Sequence, residues 1–382
     1  MHIFVSAGEP SGDLHGANLI TALRQFQPDL RCSGFGGRRM ESAGARLLYP
    51  MANLSVMWFP HVLKSLDTFI SLLDKAERFF RLRRPDALVM IDYPGFHWWL
   101  ARKARKHGIP VIYFVPPQLW AWAGWRVQKV RRFVDHVVCS LPFEPAWYRK
   151  HGVTAHYFGH PYFDALARQT LNQQFLKENS RPDEPIVAVL PGSRKQEIAM
   201  TFPSFVKAMR IIHACRPATR FLVASLNEEQ RRLAAAHLAG QDLPVELHAG
   251  KTKEIIQLAN VCMSVSGSVG LELLHAGLPS VVAYRIPRHD AILAKLVMKS
   301  PYISLVNLLA GEELFPEFLS VACQAERISE PILQWLDRPS SAQWVRAKLA
   351  ALKQRVAFPG ACERTAEFIL EQLGRKPIRQ AA

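Results

Sequence analysis

Two short apolar segments, one in each half of the chain, stop at a glycine and lead into a helical pattern. Residues 2–13 read HIFVSAGEPSGD, and residues 186–194 read IVAVLPGSR. A strand that turns through glycine into a helix opens the nucleotide-binding type of α/β domain, because the helix N-terminus attracts an anion. Two such openings in 382 residues predict two domains of this type, with parallel sheets facing each other across a cleft.

Strand-like and helix-like segments alternate in both halves, which is typical of parallel sheets covered on both faces. The predicted strands are 2–6, 31–36, 86–92, 111–116, 135–140 and 154–159, then 186–191, 220–225, 245–248, 261–266 and 279–285. The helices predicted in the first half are 12–26, 58–82, 97–107, 126–133 and 144–150. A polar stretch at 161–184 predicts a linker between domains at 1–160 and 185–323. The pattern is helical from Pro301 to the end, with C-terminal helices expected at 324–382.

The chain carries 48 Lys and Arg against 32 Asp and Glu, a net charge of +16. This balance favours an anionic partner, such as an acidic membrane lipid or a phosphorylated substrate; the alternative is a basic surface without a partner. Nucleic acid is not expected, because no RNA- or DNA-binding motif accompanies the charge.

Six scattered cysteines predict reduced core residues in a cytosolic protein and no zinc site. Neither a signal peptide nor a membrane span is expected, because the N-terminus opens into a strand and long apolar stretches are missing.

Ligands of open α/β sheets gather at the carboxyl ends of strands, so the residues that follow strands are the first candidates for a site. Glu9, Asp13 and His15 follow the first strand, where Ser11 is expected to cap the next helix. Capping accounts for Ser11 and Asp13 but not for Glu9 and His15, so at least one of Glu9, Asp13 and His15 is expected to contact substrate. Asp92 ends another strand and is a candidate general base; the alternative is a turn residue.

The second half holds a candidate diphosphate site. The small, polar or acidic residues that follow its strands are Gly192, Ser193 and Arg194, then Ser266, Gly267, Ser268, Gly270 and Glu272. An arginine beside a helix N-terminus suits a diphosphate, because it adds a bidentate cation to unpaired N–H groups. The turn at 266–270 lets further N–H groups approach a phosphate, and Glu272 is placed to accept from ribose hydroxyls.

A third signal lies at 54–84, where large apolar residues are flanked by Lys and Arg. The residues of this patch are Val56, Met57, Trp58, Phe59, Val62, Leu63, Leu66 and Phe69. Apolar residues cover more of the predicted helix than one buried stripe needs, which favours a helix lying in an anionic membrane interface. The alternative is a helix buried against the sheet and basic only at its C-terminal end.

The segment 115–125 follows a strand and contains two prolines and three tryptophans. The tryptophans are suited to line a site for a lipid or the face of a sugar. Core packing between domains is an equally good interpretation of the same residues.

With these residues assembled, the chain resembles the lipid-A-disaccharide synthase family nearly from end to end. The motifs that carry the resemblance are AGEPSGD at 7–13, IDYP at 91–94, WAW at 120–122, LPFE at 141–144, FGH at 158–160, LPGSR at 190–194, SGS at 266–268 with Glu272, YR at 284–285 and NLLAG at 307–311. Their order and spacing are more specific than any one of them alone.

The resemblance implies a GT-B glycosyltransferase with an N-terminal acceptor domain, a C-terminal UDP-sugar domain and late helices that cross back to the first domain. The implied reaction joins UDP-2,3-diacylglucosamine to 2,3-diacylglucosamine 1-phosphate through a β-1,6 linkage and releases UDP, with neither a metal nor another cofactor. Asp92 resembles the family's candidate base, and Arg285 and Asn307 join the UDP-binding set. The family acts in lipid A biosynthesis as peripheral proteins on the cytoplasmic face of the inner membrane.

One departure from the family pattern concerns the acceptor side. The family commonly has a second aspartate where this chain has Gly95, so any role of that carboxylate lapses or passes to Glu9, Asp13 or His97. Two other functions remain open at this stage. A UDP-N-acetylglucosamine 2-epimerase-like enzyme of the same fold would not need the apolar basic patch, and a non-catalytic binding protein would not need Asp92, Arg194 and Glu272 intact.

Overall fold

The computed structural model describes residues 1–53, 66–181, 183–289, 291 and 300–374 of the chain. The chain divides into two compact units. The first contains Met1–Ala167 together with the C-terminal segment from Phe358, and the second contains Arg168–Ala357.

In the described residues, the first unit is built on a seven-stranded parallel sheet. Its strands are β1 (His2–Ala7), β2 (Arg31–Phe35), β3 (Ala45–Tyr49), β4 (Ala87–Ile91), β5 (Val111–Phe114), β6 (His136–Cys139) and β7 (Ala155–Tyr157). They run in the order β3-β2-β1-β4-β5-β6-β7. Ala7 pairs with Ile91, so the residues that leave β1 lie beside those that leave β4.

The first unit also contains eight helices before the sequence enters the second unit, counted over the described residues. They are α1 (Pro10–Phe26), α2 (Arg38–Ser42), α3 (Leu66–Arg83), α4 (Pro94–Lys106), α5 (Leu119–Trp122), α6 (Val127–Phe133), α7 (Glu144–Lys150) and α8 (Tyr162–Ala167). Short 3-10 turns lie at Met51–Asn53 and Gly124–Arg126.

The described part of the second unit has a six-stranded parallel sheet in the order β10-β9-β8-β11-β12-β13. Its strands are β8 (Ile186–Leu190), β9 (Arg220–Ser225), β10 (Val245–Ala249), β11 (Val261–Ser264), β12 (Ser280–Arg285) and β13 (Glu317–Ser320). Its helices are α9 (Gln173–Asn179), α10 (Lys195–Cys215), α11 (Glu228–Leu238), α12 (Thr252–Leu258), α13 (Val269–Ala276), α14 (Leu305–Ala310), α15 (Ala325–Asp337) and α16 (Pro339–Val356). A last helix, α17 (Ala361–Gln372), belongs to the first unit.

Both faces of the first sheet are buried, as expected for parallel strands that alternate with helices. On one face, Phe4 and Tyr113 pack with Phe80 of α3 and Trp98 of α4. On the other face, apolar residues of α1 pack with apolar residues of α17, including Phe368. The first unit therefore completes its core with a helix from the far end of the chain.

The predicted strands are all present, but the sequence patterns missed β3 and β13. The prediction that the chain is helical throughout after Pro301 is therefore wrong. Both missed strands lie at sheet edges and are mostly half-exposed, so they lack a continuous apolar pattern. The stretch at 161–184 contains the short helices α8 and α9, and the division between the two units falls after Ala167.

The C-terminal helices described after residue 324 pack in two places. Helices α15 and α16 pack within the second unit, against α10 and α13, whereas α17 packs against α1 of the first unit. Asp164 of α8 fixes the start of α17, because its carboxylate accepts hydrogen bonds from the backbone N–H groups of Gly360 (2.7 Å), Ala361 (3.1 Å) and Cys362 (2.7 Å). A side chain thus caps a helix that begins 197 residues later.

We expect Asp164→Ala to loosen α17, because three backbone donors at its N-terminus lose their acceptor. A lost helix cap costs about 0.5–2 kcal/mol. Hydrogen exchange of the α17 amides should accelerate by about threefold or more. Asp29→Ala, a replacement at an exposed aspartate of the same unit, serves as the control. Unchanged exchange in α17 of Asp164→Ala would contradict this role.

Candidate functional site

The candidate acceptor site lies where β1 and β4 end. Gly8 and Glu9 leave β1, and Asp92 and Tyr93 leave the neighbouring strand β4. A Cβ atom at Gly8 would overlap the Tyr93 ring, so only glycine allows the two segments to approach this closely. Glu9 is half-buried, and burial followed by the Glu9 charge raises the pKa of the Tyr93 phenol.

The backbone at Asp92 is held in an uncommon conformation. Asp92 and Tyr93 have φ of 47° and 51°, in the left-handed region that costs a non-glycine residue about 1–3 kcal/mol. Three hydrogen bonds hold this turn. The Asp92 carbonyl accepts from the His97 Nδ1–H (2.5 Å) and from the Tyr113 hydroxyl (2.9 Å), while the Asp92 N–H donates to the carbonyl of Val115 (3.1 Å). These bonds fix the main chain from which the half-buried Asp92 side chain projects.

His97 is fully buried, and burial lowers the pKa of its imidazole to about 4. A carbonyl can only accept, so Nδ1 carries the proton that is donated to Asp92. Nε2 is then the acceptor of the hydrogen bond from the Ser6 hydroxyl, at 2.8 Å. This contact leaves His97 as a neutral positioning residue that links β1 to the Asp92 turn. It does not replace the carboxylate that is missing at Gly95.

Asp13 also has contacts that differ from the expectation. Its buried carboxylate accepts from the backbone N–H groups of Gly37 (2.7 Å), Arg39 (3.1 Å) and Met40 (3.1 Å), which are at the N-terminus of α2. Helix α1 begins after Glu9 without a side-chain cap, so the expectation that Ser11 caps it is wrong. These bonds account for Asp13 as a cap of α2 and leave it without support as a substrate contact.

His15 is buried against the segment that leads into α8. Its ring centre lies 6.1 Å from that of His160 and 6.2 Å from that of Tyr162. Burial lowers the pKa of His15 to about 4 and that of His160 to about 3, so both imidazoles are neutral at pH 7. The buried Nδ1 of His15 has no hydrogen-bond partner within the described ranges. The contacts of His15 are therefore in the interior between α1 and α8.

The candidate diphosphate site begins where β8 ends. Gly192 has a φ of 109°, and a Cβ atom there would overlap Glu197 of α10. The Glu197 carboxylate accepts from the N–H groups of Ser193 (2.9 Å) and Arg194 (3.0 Å), so these amides are not available to a phosphate. The Arg194 guanidinium lies 3.4 Å from the same carboxylate and is 69% exposed. This loop can therefore offer a phosphate the guanidinium of Arg194, but not the backbone N–H groups of Ser193 and Arg194.

Tyr284 of β12 lies beside the Arg194–Glu197 pair. It interacts with both Glu197 and Arg194, and burial followed by the Glu197 charge raises the pKa of its phenol. Arg285 is half-buried, and its guanidinium donates to the backbone carbonyls of Val321 (3.3 Å) and Met200 (3.5 Å). Arg285, at the end of β12, therefore links this strand to the segments that contain Val321 and Met200.

The turn from β11 into α13 has an open part and a closed part. Gly267 and Ser268 are exposed, and a Cβ atom added at Gly267 would meet no atom beyond its chain neighbours within 4 Å. The Ser266 hydroxyl donates to the carbonyl of Ile303 (2.6 Å), and Gly270 is buried near Val306 of α14. Glu272 is half-buried in the first turn of α13. An anion would therefore meet this turn at Gly267 and Ser268.

The expectation that Asn307 contacts UDP has no support in its surroundings. Asn307 is fully buried, its amide nitrogen donates to the Phe315 carbonyl (2.7 Å) and the Glu317 carboxylate (2.7 Å), and its oxygen accepts from the N–H groups of Leu314 (2.9 Å) and Phe315 (2.9 Å). All its bonding capacity closes the loop between α14 and β13.

Most of the predicted apolar patch lies outside the described residues, namely Val56, Met57, Trp58, Phe59, Val62 and Leu63, and the side chain of Leu66 is not described either. Phe69 is half-buried on α3, with its ring centre 5.8 Å from that of Phe96 and 6.5 Å from that of Tyr93. Phe69 thus packs toward the core beside the Asp92 turn.

The described ranges contain no group of three or more His, Cys, Asp and Glu residues arranged to hold a metal ion. No helix in those ranges is both long and apolar enough to cross a bilayer.

Comparison with known proteins decides the family. A model of the lipid-A-disaccharide synthetase family matches residues 3–368. The chain belongs to this family. Curated family members include the lipid-A-disaccharide synthases of Syntrophus aciditrophicus, 34% identical over 96% of this chain and 97% of the relative, and of Methylobacillus flagellatus, 35% identical over 88% and 90%.

Solved structures share the fold of this lipid-A-disaccharide synthetase family member at low sequence identity. A co-structure of S. aureus MnaA with UDP has a TM-score of 0.69 and 13% identity, and covers 100% of both chains. The MurG structure from Acinetobacter baumannii has a TM-score of 0.59 and 14% identity over 97% of this chain and 99% of that one. With the two parallel sheets, these similarities establish the predicted α/β GT-B fold with Rossmann-like domains.

Acid should destabilise this family member through its buried neutral histidines. Their folded pKa values lie below the ordinary value of 6.5, so their contribution to stability is complete above pH 6.5 and is lost as the pH falls toward about 4. A fully buried imidazole with a pKa near 4 corresponds to about 3 kcal/mol at most.

His160→Asn should reduce this pH dependence, because its Oδ1 can keep the hydrogen bond that His160 Nδ1 accepts from the Tyr162 N–H (3.1 Å) without titrating. Thermal unfolding midpoints measured between pH 7 and pH 4 test this expectation, with His289→Asn at an exposed histidine as the control. An unchanged slope in His160→Asn would refute it.

Proposed function

We propose that this chain is an inverting hexosyltransferase that joins UDP-2,3-diacylglucosamine to 2,3-diacylglucosamine 1-phosphate. The products are a β-1,6-linked lipid A disaccharide 1-phosphate and UDP. Membership of the lipid-A-disaccharide synthetase family supports the reaction class. The structural observation that carries the assignment to residues is the Asp92 turn, where three hydrogen bonds hold the main chain of a half-buried aspartate at the carboxyl end of a central strand.

Asp92 acts as the general base in this proposal. Its carboxylate takes the proton of the acceptor's 6-hydroxyl while that oxygen bonds to the anomeric carbon of the donor sugar. The bond between this carbon and the diphosphate oxygen breaks, and its electron pair leaves with UDP. The transition state has oxocarbenium character, as in other glycosyl transfers. Glu9, which is half-buried at the neighbouring strand end, contacts the acceptor sugar.

The second unit binds the donor. Arg194 provides an exposed cation for the diphosphate, and the N-terminus of α13 at Gly267 and Ser268 provides backbone N–H groups and a favourable dipole. Glu272 accepts from the ribose hydroxyls. These groups stabilise the charge that develops on the leaving UDP. UDP is also the ligand of the MnaA co-structure, and UDP-GlcNAc is bound in the Neisseria meningitidis UDP-GlcNAc 2-epimerase structure, which has the same fold with a TM-score of 0.66 and 12% identity over 98% of this chain and 99% of that one.

Both proposed substrates carry acyl chains, so the enzyme works at a membrane surface. A net charge of +16 favours an anionic lipid surface and a phosphorylated acceptor. We place the protein on the cytoplasmic face of the inner membrane as a peripheral protein. The UDP-GlcNAc 2-epimerase alternative is supported by likeness of fold alone.

The direct test is to incubate the purified protein with both lipid substrates in detergent micelles and to detect the disaccharide by mass spectrometry. Asp92→Asn should lower turnover by at least about a hundredfold, because the amide cannot accept the proton. Its affinity for UDP should be unchanged, since Asp92 lies in the acceptor unit.

The matched control is Asp86→Asn. Asp86 is an exposed aspartate that directly precedes the first residue of the same strand, β4, whereas Asp92 follows its last residue. Turnover of Asp92→Asn close to that of Asp86→Asn would remove Asp92 as the base. Absence of disaccharide with the parent protein would overturn the proposed function.

Arg194→Ala should weaken UDP binding by about tenfold or more, because a charge-assisted contact to the diphosphate is lost. Isothermal titration with UDP measures the change. Arg210→Ala removes an exposed arginine farther along the same helix, α10, and should bind UDP like the parent. Equal affinities of the two variants would discard the diphosphate role of Arg194.

A further inference from the structure

The loop after β5 exposes two tryptophans to solvent and holds a third, Trp120, half-buried. Trp120 donates from its indole N–H to the Glu144 carboxylate (3.0 Å), and its ring meets Phe143 edge-on with the centres 4.9 Å apart. Trp122 and Trp125 are 43% and 68% exposed. The internal contacts of Trp120 hold the short helix α5 in place, so the exposure of its neighbours follows from a fixed backbone.

An arginine lies between the two exposed indoles. The Arg126 guanidinium is 4.8 Å from the ring centre of Trp122 and 5.1 Å from that of Trp125. We call Trp122, Trp125 and Arg126 the tryptophan–arginine cluster. Cation–π contact orders the guanidinium while its N–H groups remain able to bind an anion. No carboxylate of the described ranges forms an ion pair with Arg126.

In the sequence on either side of this cluster, the charged side chains are all positive. Between Asp92 and Asp135 the sequence has eight Lys and Arg residues and not one Asp or Glu. Three of these cations, Lys129, Arg131 and Arg132, are exposed on α6, the helix that follows the cluster directly. The cations of α4 are partly neutralised, because Lys103 and Lys106 pair with Glu77. The unneutralised positive charge is therefore next to the exposed tryptophans.

We propose that the tryptophan–arginine cluster and the exposed cations of α6 form a docking surface for an anionic phospholipid bilayer. Tryptophan favours the interface of a bilayer, where its apolar ring and polar N–H are both satisfied. Each basic residue near an anionic lipid surface adds about 1 kcal/mol. This surface is separate in sequence from the apolar patch at 56–69. The choice of a membrane as the partner rests on the proposed function. Binding to the membrane itself requires no substrate.

The second unit contains a natural contrast. Trp344 of α16 is 56% exposed, and Lys348 lies over its ring at 5.5 Å. Lys348 also pairs with Glu312 at 3.1 Å, so this tryptophan–cation pair has an acidic neighbour. Trp344→Ser therefore removes an exposed tryptophan of similar exposure without changing the proposed docking surface.

The experiment measures co-sedimentation of the full-length protein with vesicles of phosphatidylcholine containing phosphatidylglycerol, and with vesicles of phosphatidylcholine alone. The double variant Trp122→Ser with Trp125→Ser should bind the anionic vesicles at least about tenfold more weakly than the parent. Arg126→Gln should weaken binding about fivefold, as expected for one cation near the surface. Trp344→Ser should bind like the parent, and neutral vesicles should bind all four proteins weakly. Circular dichroism establishes that each variant is folded, and Arg126→Gln decides the question if the double variant is not.

Parent-like binding of the anionic vesicles by the folded double variant or by Arg126→Gln would overturn the docking surface. So would unchanged vesicle binding accompanied by a raised KM for the acceptor in detergent micelles, which would assign the cluster to the soluble acceptor complex. Disaccharide synthesis in micelles is measured separately. Its absence would overturn the proposed function while the vesicle result still decides the docking surface.

Discussion

The carbonyl oxygen of Asp92 accepts two partly buried hydrogen bonds, from the His97 imidazole and the Tyr113 phenol, and these bonds hold a left-handed turn at the end of a central strand. Burial lowers the pKa of His97 and raises that of Tyr113, so both groups are neutral and both donate at physiological pH. The main chain that carries the Asp92 side chain depends on this arrangement for its conformation. Catalysis by a general base requires such positioning, because the base must lie within hydrogen-bond reach of the proton that it takes.

The two strand–glycine–helix openings, which look alike in sequence, differ in the structure. At the first opening, Gly8 allows contact with Tyr93, and the carboxylate of Asp13 is used to start α2. At the second, Glu197 occupies the amides of Ser193 and Arg194. Only at the second opening, within the described residues, does a side chain thus occupy backbone N–H groups that a phosphate would otherwise use. In the second unit, the exposed Arg194 side chain and the start of α13 are the groups left for an anion.

Much of the fold was predictable, because buried parallel strands produce apolar segments that are easy to recognise between helices. The edge strand β13 was missed because its first residue, Glu317, is charged. The Glu317 carboxylate accepts hydrogen bonds from the backbone N–H groups of Ile303 and Ser304. The positioning role of His97 could not be predicted, because its partner Ser6 is 91 residues away. The Arg194–Glu197 spacing did contain a readable signal, since a glutamate three residues after a helix start often accepts from the first amides. The structural contacts of Asn307 could not be predicted, because its partners, Phe315 and Glu317, meet it only when β13 has formed.

The central claim is that Asp92 is the group that takes the proton from the acceptor hydroxyl. The most direct measurement is a structure of the Asp92→Asn variant with UDP and the diacylglucosamine 1-phosphate acceptor bound. This account predicts the acceptor 6-hydroxyl within about 2.6–3.2 Å of the side-chain oxygen at position 92. An acceptor bound with that hydroxyl beside a different carboxylate, and out of reach of position 92, would contradict it.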